Sequence, residues 1–222
     1  MRTLYQMPLS PFSRKVNFFL REKNINFETR NEPVWEKREK FIKLNPAGKV
    51  PVFVEDDGVV ISESNAICEF IEEKHPEPNL IGKDMHAKAE IRRIVGWFDD
   101  KFNKEVVSKL IYEKIHKTFA GLGEPDSKII QHGVQNLRNH MEYISFLVAR
   151  RGWLAGDEFS FADITAASFV STIDYIGDIV WEDYQDAKIW YVRIKSKQSF
   201  QPILEDKVTN FPPARHYSNL EF

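Results

Sequence analysis

The hydrophobic pattern of this chain changes character once, at Glu77-Pro78-Asn79-Leu80-Ile81-Gly82. Before that point, short alternating runs and helical stripes take turns. Thr3 to Met7 reads as a strand stopped by Pro8. Val16, Phe19 and Leu20 recur at helical spacing and predict a helix from Ser13 to about Lys23. Phe27 to Glu32 reads as a second strand and Trp35 to Leu44 as a second helix. Pro51 to Val54 and Val59 to Ile61 flank Asp56-Asp57-Gly58, whose glycine supplies the positive φ that a hairpin turn needs. Ala66, Ile67, Phe70 and Ile71 mark a third helix ending near His75-Pro76. Beyond Gly82 the strand signal disappears. Ile91, Ile94, Val95, Phe98 and Phe102 form one helical stripe, and Ile129, Ile130, Val134, Leu137, Met141 and Ile144 form another. The expectation is a mixed α/β domain over residues 1–77, a linker over 78–85, and an all-helical domain with a C-terminal tail over 86–222.

Composition narrows the function classes. Hydrophobic residues at 42% and charged residues at 29% suit a packed globular chain of 222 residues. A formal net charge of −2 supplies no basic footprint for DNA or RNA. A single cysteine, Cys68, excludes an intrachain disulfide and any Cys-x-x-Cys pair, and it sits beside Ile67 and Ile71 as a small packed hydrophobe would. The opening residues are broken by Pro8 and Pro11 before a signal-peptide core forms, and no apolar run approaches the ~20 residues that span a bilayer. A cytoplasmic protein with no membrane partner is expected. The six histidines form no metal-binding pair at helical spacing with a nearby glutamate, and neither a phosphate-binding loop nor a G-x-S-x-G turn is present.

One helix start is specified in detail. Ser160 and Asp163 stand three apart between Phe159 and Ile164, the arrangement of a capping box with its hydrophobic staple. This is structural chemistry, with a stabilisation of roughly 1 kcal/mol.

Three segments of the first domain carry candidate chemistry. Ser10-Pro11-Phe12-Ser13 lies at a strand-to-helix junction, where a serine hydroxyl either caps the helix or stabilises an anion such as a thiolate near the positive end of the helix dipole. A free thiol of pKa about 8.5 is mostly protonated at neutral pH, and lowering it by two units takes only ~2.7 kcal/mol. Lys49-Val50-Pro51 precedes a strand, and a cis Pro51 turns the Val50 amide and carbonyl toward an extended peptide-like ligand; a trans proline at a strand start is the alternative. Glu63-Ser64 opens the third helix, where the serine and exposed N–H groups receive a carboxylate and Glu63 pairs with an ammonium, or where the pair simply caps the helix.

The ordered set Ser-Pro-Phe-Ser-x-Lys-Val, Asn-Pro-x-Gly-Lys-Val-Pro and Glu-Ser-x-Ala-Ile resembles the N-terminal domain of cytosolic glutathione transferases, and Ser160-Phe161-Ala162-Asp163 is similar to the capping box of that family's helical domain. The resemblance covers essentially the whole chain. It implies a thioredoxin-like first domain, glutathione as co-substrate, a small electrophile held between the domains, and a homodimer. It also implies roles: Ser10, with Ser13 as its neighbour, at the activating position, Val50 and cis Pro51 on the cysteinyl backbone, Glu63 and Ser64 on the γ-glutamyl end, and Lys49 on the glycyl carboxylate. Position 10 holds no cysteine, which disfavours thiol-transferase chemistry.

Trp35-Glu36-Lys37-Arg38-Glu39, the stretch Ala89 to Phe102, and the ending His216-Tyr217-Ser218-Asn219-Leu220-Glu221-Phe222 resemble a narrower bacterial branch, the transferase-like regulators that bind the division filament protein FtsZ. That resemblance implies a non-catalytic adaptor as the alternative function. The tail's Tyr217, Leu220 and Phe222 are then either anchors for a partner or packing against the chain's own helical domain.

Overall fold

The computed structural model describes residues 1–220. Strand β1 (Thr3–Gln6) leads into α1 (Pro11–Glu22), β2 (Glu28–Asn31), α2 (Glu39–Leu44), the hairpin β3 (Val52–Val54) and β4 (Val60–Ser62), and α3 (Ser64–Lys74). The four strands lie in the order β2-β1-β3-β4, with β1 and β2 parallel and the other pairs antiparallel. The parallel β1–α1–β2 unit needs its crossover helix. Gly58, at φ +88, closes the hairpin turn as the Asp-Gly pair predicts.

One element departs from its expectation. Trp35 to Leu44 is not one helix: a 3-10 turn over Val34–Glu36 ends at Lys37, whose φ of 48° lies in the left-handed region, and α2 starts only at Glu39. The reason is a fork between Arg38 and the buried Glu32, which pulls the backbone back toward β2 and leaves Trp35 on the outside, 71% exposed.

The helical domain follows a segment in which Glu77–Pro78 is cis and Gly82 has a positive φ. A continuous helical rod runs through α4 (Met85–Gly96), a π-helical stretch Trp97–Val107, α5 (Ser108–Ile111), a second π-helical stretch Tyr112–His116 and α6 (Lys117–Phe119). Phe98, Phe102, Val106 and Leu110 are all buried at strict four-residue spacing. Such a stripe drifts around a 3.6-residue helix and keeps its face better on the wider π turn. Next comes α7 (Ser127–Arg151), which crosses α5 closely: a Cβ on Gly133 would stand 2.8 Å from the Leu110 side chain. Then α8 (Phe161–Tyr175), α9 (Gln185–Lys195) and α10 (Gln201–Leu204) complete the domain.

Helix α8 is buried along its whole length, so it is the axis of the core rather than an amphipathic surface helix. Its hydroxyls are satisfied internally, Thr165 on the Phe161 carbonyl and Ser168 on the Ile164 carbonyl. The expected capping box at Ser160 and Asp163 is present. Asp163 also accepts from Leu154 N and from Trp190 Nε1, so its fully buried carboxylate ties three segments together. Helix α1 packs between the sheet and α8, which is why residues Ser13 to Leu20 are buried without a break. No helix among the described residues is long and apolar enough to cross a membrane.

The tail docks on its own domain as far as the described residues go. Tyr217 is fully buried, its ring 5.1 Å from that of Tyr175, and its hydroxyl donates to the Ile203 carbonyl. The Tyr175 hydroxyl donates to the Phe211 carbonyl and accepts from Val208 N. Leu220 packs against the core, while Glu221 and Phe222 lie outside the described residues.

Candidate functional site

The sheet register brings the three candidate segments to one edge. Tyr5 pairs with Val52 and Val52 with Ser62, so the end of β1, the start of β3 and the end of β4 lie side by side. Ser10 follows β1, Val50 and Pro51 precede Val52, and Glu63 and Ser64 follow Ser62.

Ser10 is the N-cap of α1, and its Oγ accepts from Ser13 N at 3.2 Å. Capping uses a lone pair of the hydroxyl and leaves its proton to donate, so cap and thiolate donor are compatible roles. Ser13 differs: it is 1% exposed, and its Oγ accepts from Met7 N at 3.3 Å, which holds the turn between β1 and α1. Of the two candidate hydroxyls, the half-buried Ser10 is the accessible one.

The Asn45–Lys49 loop is built by one side chain. Asn45 Oδ1 accepts from Ala47 N at 3.1 Å and Nδ2 donates to the Lys49 carbonyl at 2.8 Å, while Gly48 supplies a φ of +63. The Val50–Pro51 bond is cis. Among the described residues no hydrogen bond occupies the Val50 N–H or C=O. Lys49 is exposed.

Glu63 precedes α3 with φ 72° and ψ 125°, a conformation that costs a non-glycine residue energy and that concentrates at ligand sites. Its carboxylate is exposed, and Ser64 is buried at the first turn of α3. The next residue, Asn65, belongs to a cluster that the sequence did not disclose. Lys15, fully buried on α1, donates to Asn65 Oδ1 and to both oxygens of Asp99, each at 2.8 Å, and Asn65 Nδ2 donates to Asp99 Oδ2 at 2.8 Å. The cluster fixes the start of α3 against the π-helical stretch of the second domain. Its sequence signal was Lys15 standing between Phe12 and Phe19 at helical spacing on an apolar stripe.

Burial pushes the Cys68 thiol far up, and it lies inside α3, so it offers no nucleophile. One cavity of about 580 Å³ lies between β2 and α2 and reaches Tyr5, and one of about 250 Å³ lies beside α1 with Met7 and Ser13 in its wall.

Residues 4–79 match the model of the glutathione S-transferase N-terminal domain, and residues 114–197 that of the C-terminal domain. A glutathione S-transferase from Rhodospirillum rubrum superposes over the full length of both chains at a TM-score of 0.97 and 48% identity. The chain belongs to the glutathione S-transferase family. Within that family, FtsZ-localized protein A of Caulobacter vibrioides is 44% identical over all of this chain and 98% of its own length. Glutathione S-transferase 2 of Saccharomyces cerevisiae is 29% identical over 91% of this chain and 89% of its own. The transferase fold is therefore shared with relatives bearing both an enzyme's name and a division protein's name, and fold alone does not choose between those functions.

Proposed function

We propose that this glutathione S-transferase family member binds glutathione along the shared edge of β1, β3 and β4 and activates its thiol for attack on an electrophile. The observation that carries this reading is the Val50 backbone, whose unspent N–H and C=O lie between the Ser10 hydroxyl and the Glu63–Ser64 turn. An extended tripeptide pairs with that backbone as a short added strand. Its γ-glutamyl carboxylate meets the N-terminus of α3 and Ser64, its ammonium meets Glu63, and Lys49 reaches the glycyl carboxylate. The cysteinyl thiol gives its proton to water, Ser10 donates a hydrogen bond that holds the resulting thiolate, and the thiolate forms the new carbon–sulfur bond while the electrophile's leaving group or π electrons take the charge. The protein acts as a homodimer in the cytoplasm. The exposed Val60 on β4, Val59 just before it and Met85 on α4 support pairing of one subunit's first domain with the other's helical domain.

Calorimetric titration with glutathione tests the reading. Binding to the intact chain that weakens at least about tenfold in Glu63→Gln is expected, since that change removes the partner of the ligand's ammonium. No saturable binding to the intact chain rejects it.

A second reading rests on Trp35. The Glu32–Arg38 fork holds the Val34–Glu36 turn so that an exposed indole stands on a rigid support, as a binding anchor requires. With the full-length similarity to FtsZ-localized protein A, this favours an adaptor on the FtsZ filament. Co-sedimentation with FtsZ filaments, lost in Trp35→Ala and kept in Ser10→Ala, supports it; unchanged sedimentation of Trp35→Ala rejects it.

A further inference from the structure

The 250 Å³ cavity adjoins the β1–α1 turn: Met7 and Ser13 line it, whereas Ser10, Val50 and Glu63 do not. It opens on the flank of α1, between the edge strand β2 and residues 202–206. Its wall is organised by a relay of side chains. Arg21 Nε donates to Asn17 Oδ1 at 2.8 Å, and Asn17 Nδ2 donates to Gln6 Oε1 at 2.9 Å. Both amides are thereby oriented, because each must present its oxygen to the donor before it. The relay has two loose ends. Among the described residues, no hydrogen bond occupies the Nη groups of Arg21 or the Nε2 of Gln6. The Arg21 guanidinium lies 5.2 Å from the Phe27 ring centroid, which helps fix its plane.

The charges around the cavity are not alike. Arg14 is spent: its Nε and Nη2 both reach Asp206 Oδ2 at 3.1 Å, and its Nη1 donates to Ser171. Arg21 has no such partner. Burial lowers its pKa, and the nearest compensation is the field of Glu205, which makes no direct bond to it. A partly desolvated guanidinium with free donors on one wall and an unbridged carboxylate on another suits a ligand carrying both charges. Its volume is below the roughly 300–1,000 Å³ of sites for drug-sized ligands, which limits the occupant to a molecule the size of one amino acid.

We infer that this cavity is a binding site for a free α-amino acid, with the carboxylate across Arg21 and Gln6 and the ammonium at Glu205. The inference does not require glutathione binding, since Ser10, Val50, Glu63 and Ser64 lie outside the cavity's lining. The ligand's carboxylate completes the relay by accepting from both loose ends, and Glu205 distinguishes a zwitterion from a simple acid.

Titration of the intact chain with L-alanine, acetate and propylamine, followed through the NMR signals of the Gln6 side-chain amide and Arg21 Nε, tests it. Saturable alanine binding in the millimolar range is expected, with acetate weaker and propylamine weaker still. Arg21→Met keeps the stem against Phe27 and removes the donors; circular dichroism and a thermal melt establish that it folds. In that variant alanine binding falls at least about tenfold. In Glu205→Gln alanine weakens while acetate strengthens, because the carboxylate that repels acetate is gone. Glu63→Gln, at the other edge, leaves alanine binding unchanged. Absence of saturable alanine binding overturns the inference. So does unaltered binding in folded Arg21→Met, acetate binding as tightly as alanine in the intact chain, or loss of alanine binding in Glu63→Gln.

Discussion

The Lys15 ammonium on α1 and the Asp99 carboxylate in the π-helical stretch meet at 2.8 Å across the joint between the sheet domain and the helical domain. Lys15 is fully buried and the Asp99 side chain is 15% exposed, which places the pair where solvent screening is reduced. Its position beside Ser64 makes it a support for the start of α3.

Lys15→Met strands Asp99 with Asn65 as its remaining partner and costs about 3 kcal/mol, the lower end of the range for breaking a buried pair, because Asp99 keeps some contact with water. Lys15→Met combined with Asp99→Leu recovers most of that loss. Urea denaturation of both variants is the measurement. A double variant no more stable than the single one shows that the pair is not an isolated unit.

Ser10→Ala and Ser13→Ala separate capping from chemistry. Each costs about 1 kcal/mol, the first as an N-cap and the second by leaving Met7 N–H without its acceptor. Only Ser10→Ala lowers turnover with glutathione and a model electrophile, by about 10²-fold. Equal turnover in Ser10→Ala and the intact chain reduces Ser10 to a cap.

Burial lifts the Asp163 carboxyl to about 6, even though its four hydrogen-bond donors pull the other way. The unfolded carboxyl titrates near about 3.9. Between those values the folded state holds a proton that the unfolded state has lost, so stability from this group falls as pH rises from about 4 to about 6 and levels off above. The slope approaches ~1.4 kcal/mol per pH unit. Asp163→Asn is less stable throughout but lacks this slope; denaturation curves across the window that run parallel for the two proteins refute the assignment.

Tyr217→Ala empties a core position and costs about 3–5 kcal/mol. Removing residues 216–222 therefore unfolds the docked strap as well as deleting any partner contact. A fair test of the adaptor reading stops the chain after Asn219: it keeps Tyr217, and with it a melting temperature within a few degrees of the intact protein. A large drop in that melt means that Leu220 supports the core as Tyr217 does.

The order of strands and helices was legible because each element announces itself locally, through Pro8, Asp57-Gly58 and the stripes of Phe and Ile. The candidate edge was legible too, since its residues sit at element ends where the sequence punctuates. The long-range relationships stayed hidden. Lys37 adopts a left-handed backbone because Arg38 reaches Glu32, and no local pattern at Trp35 to Leu44 encodes that reach. The π-helical stretch arises from four-residue spacing read against a core that the sequence does not display. Tyr217 is buried by Tyr175 and Ile203, partners at separations that periodicity cannot measure.

The bonds of Arg14 bear on how the chain is synthesised. It is nearly buried in α1, yet Ser171 is 157 residues downstream and Asp206 is 192. A ribosome releases the whole sheet domain long before either partner exists, so the nascent domain emerges with an unpaired guanidinium and a bare apolar flank of α1. Until α8 and the segment around Asp206 arrive, that half-made protein is a client for chaperones, and a pause in translation between the two domains lengthens its exposure.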